Sequence, residues 1–163
     1  MAIMLFVISA LVQLSTSGTK AEHNLNLRFL AQEEARLGLD VFRREVHNAC
    51  AATISGGGTQ VTLMAQNTSI AGSYPCNVIG SNWCTSGTGT RFGLYRQVGS
   101  GTCGSGMRRA DYLTVAAIFS YVAPAAGQLP KVGVDMRVNR EPSIANNAYR
   151  LTDAIALRNA RRF

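Results

Sequence analysis

The chain opens on an uncharged run, Met1-Ala-Ile-Met-Leu-Phe-Val-Ile-Ser-Ala-Leu-Val-Gln-Leu14. It passes without a proline into a segment of different patterning. There Leu27, Ala31, Ala35, Gly38, Phe42, Val46 and Ala49 recur at steps of three or four, the period of one helix face. Leu30, Leu37, Leu39 and Val41 widen that stripe. Away from it, Gln32 and Glu33 with Arg36, and Asp40 with Arg43 and Arg44, stand one turn apart. Such pairs read as a solvated face, each contributing a few tenths of a kcal/mol. The two segments together predict one continuous helix of about 70 Å at roughly 1.5 Å per residue. Ser15 to Thr19 are weak helix formers that predict a kink or a loosened turn. The helix is predicted to end near Cys50, because Gly56-Gly57-Gly58 is a break.

Beyond that point the period changes from helical to alternating. Gln60–Ala65 places Val61 and Leu63 on one side, and Thr90–Val98 places Phe92, Leu94 and Arg96 opposite Arg91, Tyr95 and Gln97. A strand over Asn77–Cys84, joined to Thr90–Val98 through the Thr85-Ser-Gly-Thr-Gly89 loop, completes a hairpin. Tyr112–Val122 is apolar and fits either a strand or a short helix. Lys131–Val138 and Tyr149–Leu157 each present one apolar face, and read as a strand pair joined by an Asn139–Asn147 loop. The long helix is the natural cover for that face. The fold class is therefore α+β, a long N-terminal helix on an antiparallel sheet. Residues 1–20 form the apolar part of the helix, 21–50 its amphipathic part, and 51–163 a β-rich head.

Composition narrows the function classes. Of 163 residues, 47% are hydrophobic and 15% charged, which excludes a disordered chain. The net charge is +7, and the basic residues are nearly all arginine, since Lys20 and Lys131 are the two lysines. Basic chains bind nucleic acid or anionic surfaces, but these arginines are scattered, with small clusters at Arg43-Arg44, Arg108-Arg109 and Arg161-Arg162. A surface that is simply basic is the preferred reading. The run Met1–Leu14 is several residues short of the ~20 that span a bilayer. It also lacks the basic start and small-residue cleavage site of a secretory signal. A helix missing its beginning explains it better than a short buried helix, since an oily end without a partner is unfavourable in water.

Cys50, Cys76, Cys84 and Cys103 stand among glycine-, serine- and threonine-rich segments. An even count of this kind predicts two disulfides and an oxidising compartment. Zinc would need tighter pairs than these, and His23 and His47 lie far from the cysteines in sequence. In the predicted hairpin, Cys76 and Cys103 both lie past its open end and Cys84 at its turn, which favours Cys76–Cys103 with Cys50–Cys84. The alternative, Cys50–Cys76 with Cys84–Cys103, stands nearly level with it.

This order of elements resembles the type IV pilin and pseudopilin family. Gln32-Glu-Glu-Ala-Arg-Leu-Gly-Leu-Asp-Val-Phe-Arg-Arg-Glu-Val-His-Asn-Ala49 is similar to the segment of minor pilins and type II secretion minor pseudopilins that reads Q-x-x-A-R-x-A-L-D-x-L-x-R-E/D-I/V. Tyr149–Asn159 looks like the closing strand of pilin-like proteins from high-GC Gram-positive bacteria. Trp83-Cys84, Leu94-Tyr95-Arg96 and Ala110-Asp111-Tyr112-Leu113-Thr114 are similar to that group too. Family members begin with a basic leader, a glycine cleavage site and Phe-Thr-Leu-x-Glu. None of these precedes Met1-Ala2-Ile3-Met4, which resembles a point downstream of that glutamate.

The resemblance implies a structural subunit with no cofactor, metal or catalytic site. Its partners would be other pilin or pseudopilin subunits, with the membrane as its environment before assembly. Ile3, Leu5, Phe6, Ile8, Leu11 and Leu14 would form the assembly helix. The protein would be a single-pass cytoplasmic membrane protein with an extracytoplasmic head, moving to the cell surface or an extracellular filament. The residues themselves offer no G-x-S-x-G, no phosphate loop and no paired carboxylates in a glycine-framed pocket. An alternative of a different class is a basic module at a filament tip, taking DNA or a surface ligand through Arg91, Arg96, Arg108 and Arg109.

Overall fold

The computed structural model describes residues 2–67, 75–99, 101–141 and 148–160, with the side chains of all of them except Ala2, Ile3 and Leu5. Helix α1 (Ala2–Asn48) leads into β1 (Ala51–Ser55), a 3-10 turn at Gly56–Gly58, β2 (Gln60–Gln66), β3 (Cys76–Thr88) and β4 (Arg91–Val98). Then follow β5 (Met107–Leu113), β6 (Phe119–Val122), β7 (Lys131–Val138) and β8 (Tyr149–Ala156). The architecture is α+β, one long helix on one antiparallel sheet. The sheet runs β1-β2-β3-β4-β5-β7, and β8 pairs with the far side of β7. β6 shares the near side of β7 with β5, taking Lys131–Val134 while β5 meets only Val138. The sheet curls. Ile118 N–H donates to the Gly58 carbonyl at 3.0 Å, and the Thr85 hydroxyl donates to the Ala116 carbonyl at 2.7 Å. The β5–β6 connection is thereby drawn back over the β1–β2 turn.

The helical stripe expected from the pattern is the face that packs. Ala31, Ala35, Gly38, Phe42, Val46 and Ala49 are all buried. They meet Leu63, Trp83, Leu94, Leu113, Val132, Met136, Val138, Ile155 and Leu157 from the sheet. Thus β7 and β8 do present their apolar face to α1. Polar contacts pin β8 and the residues after it along the helix. Arg43 Nε donates to Asp153 at 2.6 Å, His47 Nδ1 lies 3.1 Å from the Ala156 carbonyl, and Asn159 Nδ2 donates to the Asn48 carbonyl at 3.0 Å. Arg43, read from sequence as part of a solvated pair with Asp40, keeps that contact at 3.0 Å and adds the stronger one across to the sheet.

Gly38 marks the closest approach of helix and sheet, since a Cβ there would sit 3.0 Å from the backbone oxygen of Arg109. Alanine would gain up to about 1 kcal/mol of helix propensity against that contact. Valine adds two more methyl groups to a wall of backbone, so Gly38→Val is expected to destabilise by about 2 kcal/mol. The urea midpoint of the detergent-solubilised chain measures it, and an unchanged midpoint would mean that helix and sheet can separate there freely.

Several expectations are corrected. Leu30 and Leu37 do not widen the buried stripe, being 38% and 62% exposed. Helix α1 is unbroken through Ser15–Thr19, where Thr16, Ser17 and Thr19 turn their hydroxyls back onto carbonyls three or four residues earlier and so satisfy themselves within the helix. Tyr112–Val122 is not one element: β5 starts at Met107 and ends at Leu113, and β6 begins at Phe119. Of the expected Asn139–Asn147 loop, residues 142–147 lie outside the described residues, as do Arg161 and Arg162.

The favoured disulfide pairing is also corrected. The bonds are Cys50–Cys76 and Cys84–Cys103. The expected hairpin was out of place: β3 runs on to Thr88 and turns at Gly89-Thr90, so Cys84 stands in mid-strand opposite Tyr95. The β4–β5 connection folds back onto the outer face of β3 and brings Cys103 to Cys84. At the other end, β1 adds to β2 and Cys50 N–H donates to the Met64 carbonyl at 2.9 Å. Cys76 faces Gln66 at the same end of the sheet, which puts it within reach of Cys50.

Candidate functional site

Two parts of the molecule carry side chains that could act on something else: the free half of α1 and the arginines of the sheet. On α1 every residue from Phe6 to His23 is exposed, because the head covers only the later turns of the helix. Phe6 is 81%, Ile8 56%, Leu11 61% and Leu14 72% exposed. The expected assembly residues Ile3 and Leu5 lie on the same helix, and their side chains lie outside the described residues. Monomeric proteins seldom expose a large contiguous apolar patch, and one that exists marks a site of interaction with protein or lipid. Among the described residues no helix is long and apolar enough to cross a membrane.

The four candidate arginines do not form one patch. Arg96, on β4, turns toward the helix, where its Nε donates to Glu45 Oε1. The other oxygen of Glu45 accepts from Trp83 Nε1 and from Ser81 Oγ, both at 2.7 Å. Arg91 and Arg108 converge instead on Asp111, with nitrogen–oxygen distances of 2.8 and 3.0 Å. Asp111 also accepts from the Tyr112 backbone N–H at 2.7 Å. Arg109 is set apart, with its backbone carbonyl beside Gly38. Arg96 is therefore matched by Glu45, while Arg91 and Arg108, both half-exposed, share the single carboxylate of Asp111.

Around Asp111 the sheet is locally bent. Tyr112 has φ 60°, a left-handed conformation unfavourable for a bulky side chain. Its ring is held between two guanidinium groups, Arg91 at 4.1 Å and Arg140 at 4.9 Å from the ring centre. Arg140 in turn donates to Glu34 of α1 at 3.3 Å. These contacts tie the β4–β5 bulge and the end of β7 to the middle of the helix. Glu45, Asp111, Glu34 and Arg140 were not anticipated from sequence. For Glu45 a signal existed, since it lies three residues after Phe42 and four before Ala49, bordering the buried stripe.

Burial alone would raise the Asp111 carboxyl. Hydrogen bonds from Arg91 and the Tyr112 amide, with the charges of Arg108 and Arg91, outweigh it and hold Asp111 below its ordinary value of 3.8. Asp135, bonded to Arg150 and flanked by Arg137, is lowered likewise, chiefly by the Arg150 hydrogen bond. A carboxyl with a lower value in the folded than in the unfolded state adds stability above the unfolded value and loses it as pH falls through the folded one. Stability is therefore expected to be flat near neutrality and to fall below about pH 4. In a pH series of thermal melts, Asp111→Asn should be less stable than the parent at pH 7 and approach it near pH 3. A constant difference at all pH values would show that the charge of Asp111 is not what matters.

An open cleft of about 190 Å³ lies between the last turn of α1 and β2–β4, lined by Glu45, Asn48, Leu63, Met64, Gly80 and Arg96. Its two charged groups are spent on each other. No group of three or more histidine, cysteine or acidic side chains is gathered as a metal set among the described residues. Comparison with protein-family models, with curated proteins and with solved structures finds no match to this chain.

Proposed function

We propose that this chain is a structural subunit, of the minor type, in a type IV pilus or a pseudopilus, joining its neighbours through the N-terminal half of α1. The observation that carries the reading is the exposed apolar half-helix, continuous with a second half that packs into the head. Removing a Leu, Ile or Phe side chain from water contributes about 1.5–3 kcal/mol each. A row of such side chains on one rod therefore favours burial over isolation. In lipid, close packing of helix on helix takes over that role. The head fits an extracytoplasmic position, because both of its bonds are disulfides of the kind that persist in oxidising compartments. The membrane would hold the free half-helix before assembly.

All four cysteines are paired, so a substituted cysteine supplies the reactive thiol for a test. Leu11→Cys in the full chain, expressed in a cell that builds such a filament and treated with a mild oxidant, is expected to yield disulfide-linked multimers with itself or with other pilin-like subunits. The same substitution at head-surface Thr114 should yield none. Equal labelling of both sites by a soluble maleimide, with no multimer from Leu11→Cys, would overturn the proposal.

A further inference from the structure

At its C-terminal end α1 no longer covers the inner face of β2–β5. Glu45 reaches Ser81 and Arg96 there, and the residues around those two lie open. Residues directly opposite each other in a sheet share a face. Val98 stands opposite Ser81, Met107 opposite Arg96, and Val78 opposite Ala65. Val98 is 75%, Met107 61% and Val78 42% exposed. Together they form an apolar shelf beside the cleft at the last turn of α1, whose own apolar walls include Leu63, Met64 and Ala65.

The pairing of Glu45 with Arg96 balances charge within the cleft but takes the guanidinium at Nε alone. Among the described residues, Nη1 and Nη2 of Arg96 meet no acceptor. Held at Nε, the planar group is oriented in advance, and a free arginine fork of this kind suits a carboxylate. Asn48 lines the same cleft, and its side-chain amide also lacks a partner among the described residues. Arg44 is exposed one turn before Asn48, on the same flank of the helix, with no carboxylate beside it among the described residues. Arg96 and Arg44 against Glu45 leave this corner positive. The cleft, at about 190 Å³, is larger than the ~150 Å³ that holds a benzene ring. One aliphatic side chain with its carboxylate fits such a space.

We infer that the cleft captures the C-terminal carboxylate of an extended partner peptide whose last residue is aliphatic. The last side chain enters between Leu63, Met64 and Ala65, and its carboxylate meets Arg96 and Asn48. The preceding residues lie over Val98 and Met107. Charge selects a free carboxyl end, and the shelf selects a chain rather than a small acid. The cleft stands at the opposite end of α1 from its exposed half, so this inference does not depend on the subunit reading above.

The test is fluorescence anisotropy with the full chain in detergent. The probe is a labelled, otherwise uncharged hexapeptide ending in Ala-Val-Leu, made as the free acid and as the amide. The acid is expected to bind about tenfold more tightly than the amide, the scale of one charge-assisted contact. Arg96→Lys keeps a cation for Glu45 but loses the planar fork, and should weaken the acid about tenfold while leaving the amide unchanged. Arg44→Gln and Met107→Ser, both at exposed positions, should each weaken the acid severalfold without moving the melting of the head. Equal affinity for acid and amide, or undiminished affinity in Arg96→Lys, overturns the carboxylate site, as does no binding of the acid at millimolar concentration. N-acetyl-leucine binding as tightly as the hexapeptide overturns the extended partner. None of these outcomes bears on the cross-linking of Leu11→Cys, so the two readings are judged apart.

Discussion

Phe42→Ala is expected to lower the stability of the folded head by about 4 kcal/mol, the middle of the range for removing a buried aromatic ring. Phe42 is 1% exposed and stands at the crossing of helix and sheet. Its ring packs edge-on against Trp83 at 5.1 Å and 78°, and tilted against Phe119 at 5.5 Å. Such aromatic pairs contribute about 0.5–1.5 kcal/mol beyond the area they bury. The neighbours cannot collapse into the space easily: Trp83 is held by Glu45 through its indole N–H, and Phe119 is fixed in register opposite Val134. The transfer and cavity terms should therefore both appear in full. At a chain length of 163 residues the loss corresponds to a fall in Tm of about 10 °C. Trp83 is the one tryptophan, so its fluorescence during urea unfolding of the detergent-solubilised chain reads this site directly. A loss below 1 kcal/mol would mean that this face of α1 is not the core of the head.

The stripe containing Phe42 was legible because helical and sheet periods differ, and burial on one face leaves its mark at every third or fourth residue. The same holds for β7, where Val132, Val134, Met136 and Val138 alternate with polar or small residues and are all buried. What escaped has physical causes. β1, Ala51–Ser55, is short and weakly apolar, and its position comes from pairing with β2 rather than from its own composition. β5 begins with Met107-Arg-Arg, and the charge of Arg108 is taken up by Asp111 of the same strand, so its alternation is written partly in an ion pair. The hairpin register could not be read because Thr85 to Thr88 remain extended despite their turn-like composition, and the disulfide pairing followed that error. Leu30 and Leu37 satisfied the helical period but sit on its margin, where the curled sheet no longer reaches. The exposed half of α1 was legible as apolar sequence. That the helix divides into a covered and an uncovered stripe beyond Ala21 required knowing which way the head turns.

Glu45→Ala should cost about 3 kcal/mol, and the reason separates it from an ordinary ion pair. The side chains of Glu45 and Arg96 keep 20% and 26% of their exposure, so water screens their attraction, and the pair alone should contribute little more than a partly exposed one does. The larger loss lies with the other two donors. Trp83 is fully buried and Ser81 4% exposed, and both give their hydrogen to Glu45 Oε2. Removing the carboxylate leaves two buried donors without an acceptor, at about 1–3 kcal/mol each less whatever water regains through the adjoining cleft. Two comparisons decide between the terms. Glu45→Gln keeps an acceptor oxygen and should lose about half as much as Glu45→Ala. In double-mutant cycles scored by urea midpoint, Glu45→Ala should couple more strongly to Trp83→Phe, which deletes only the donor and some ring area, than to Arg96→Ala. The reverse order, with Glu45→Gln as harmful as Glu45→Ala, would assign the docking of the helix's last turns to charge rather than to the need of a buried indole for a partner.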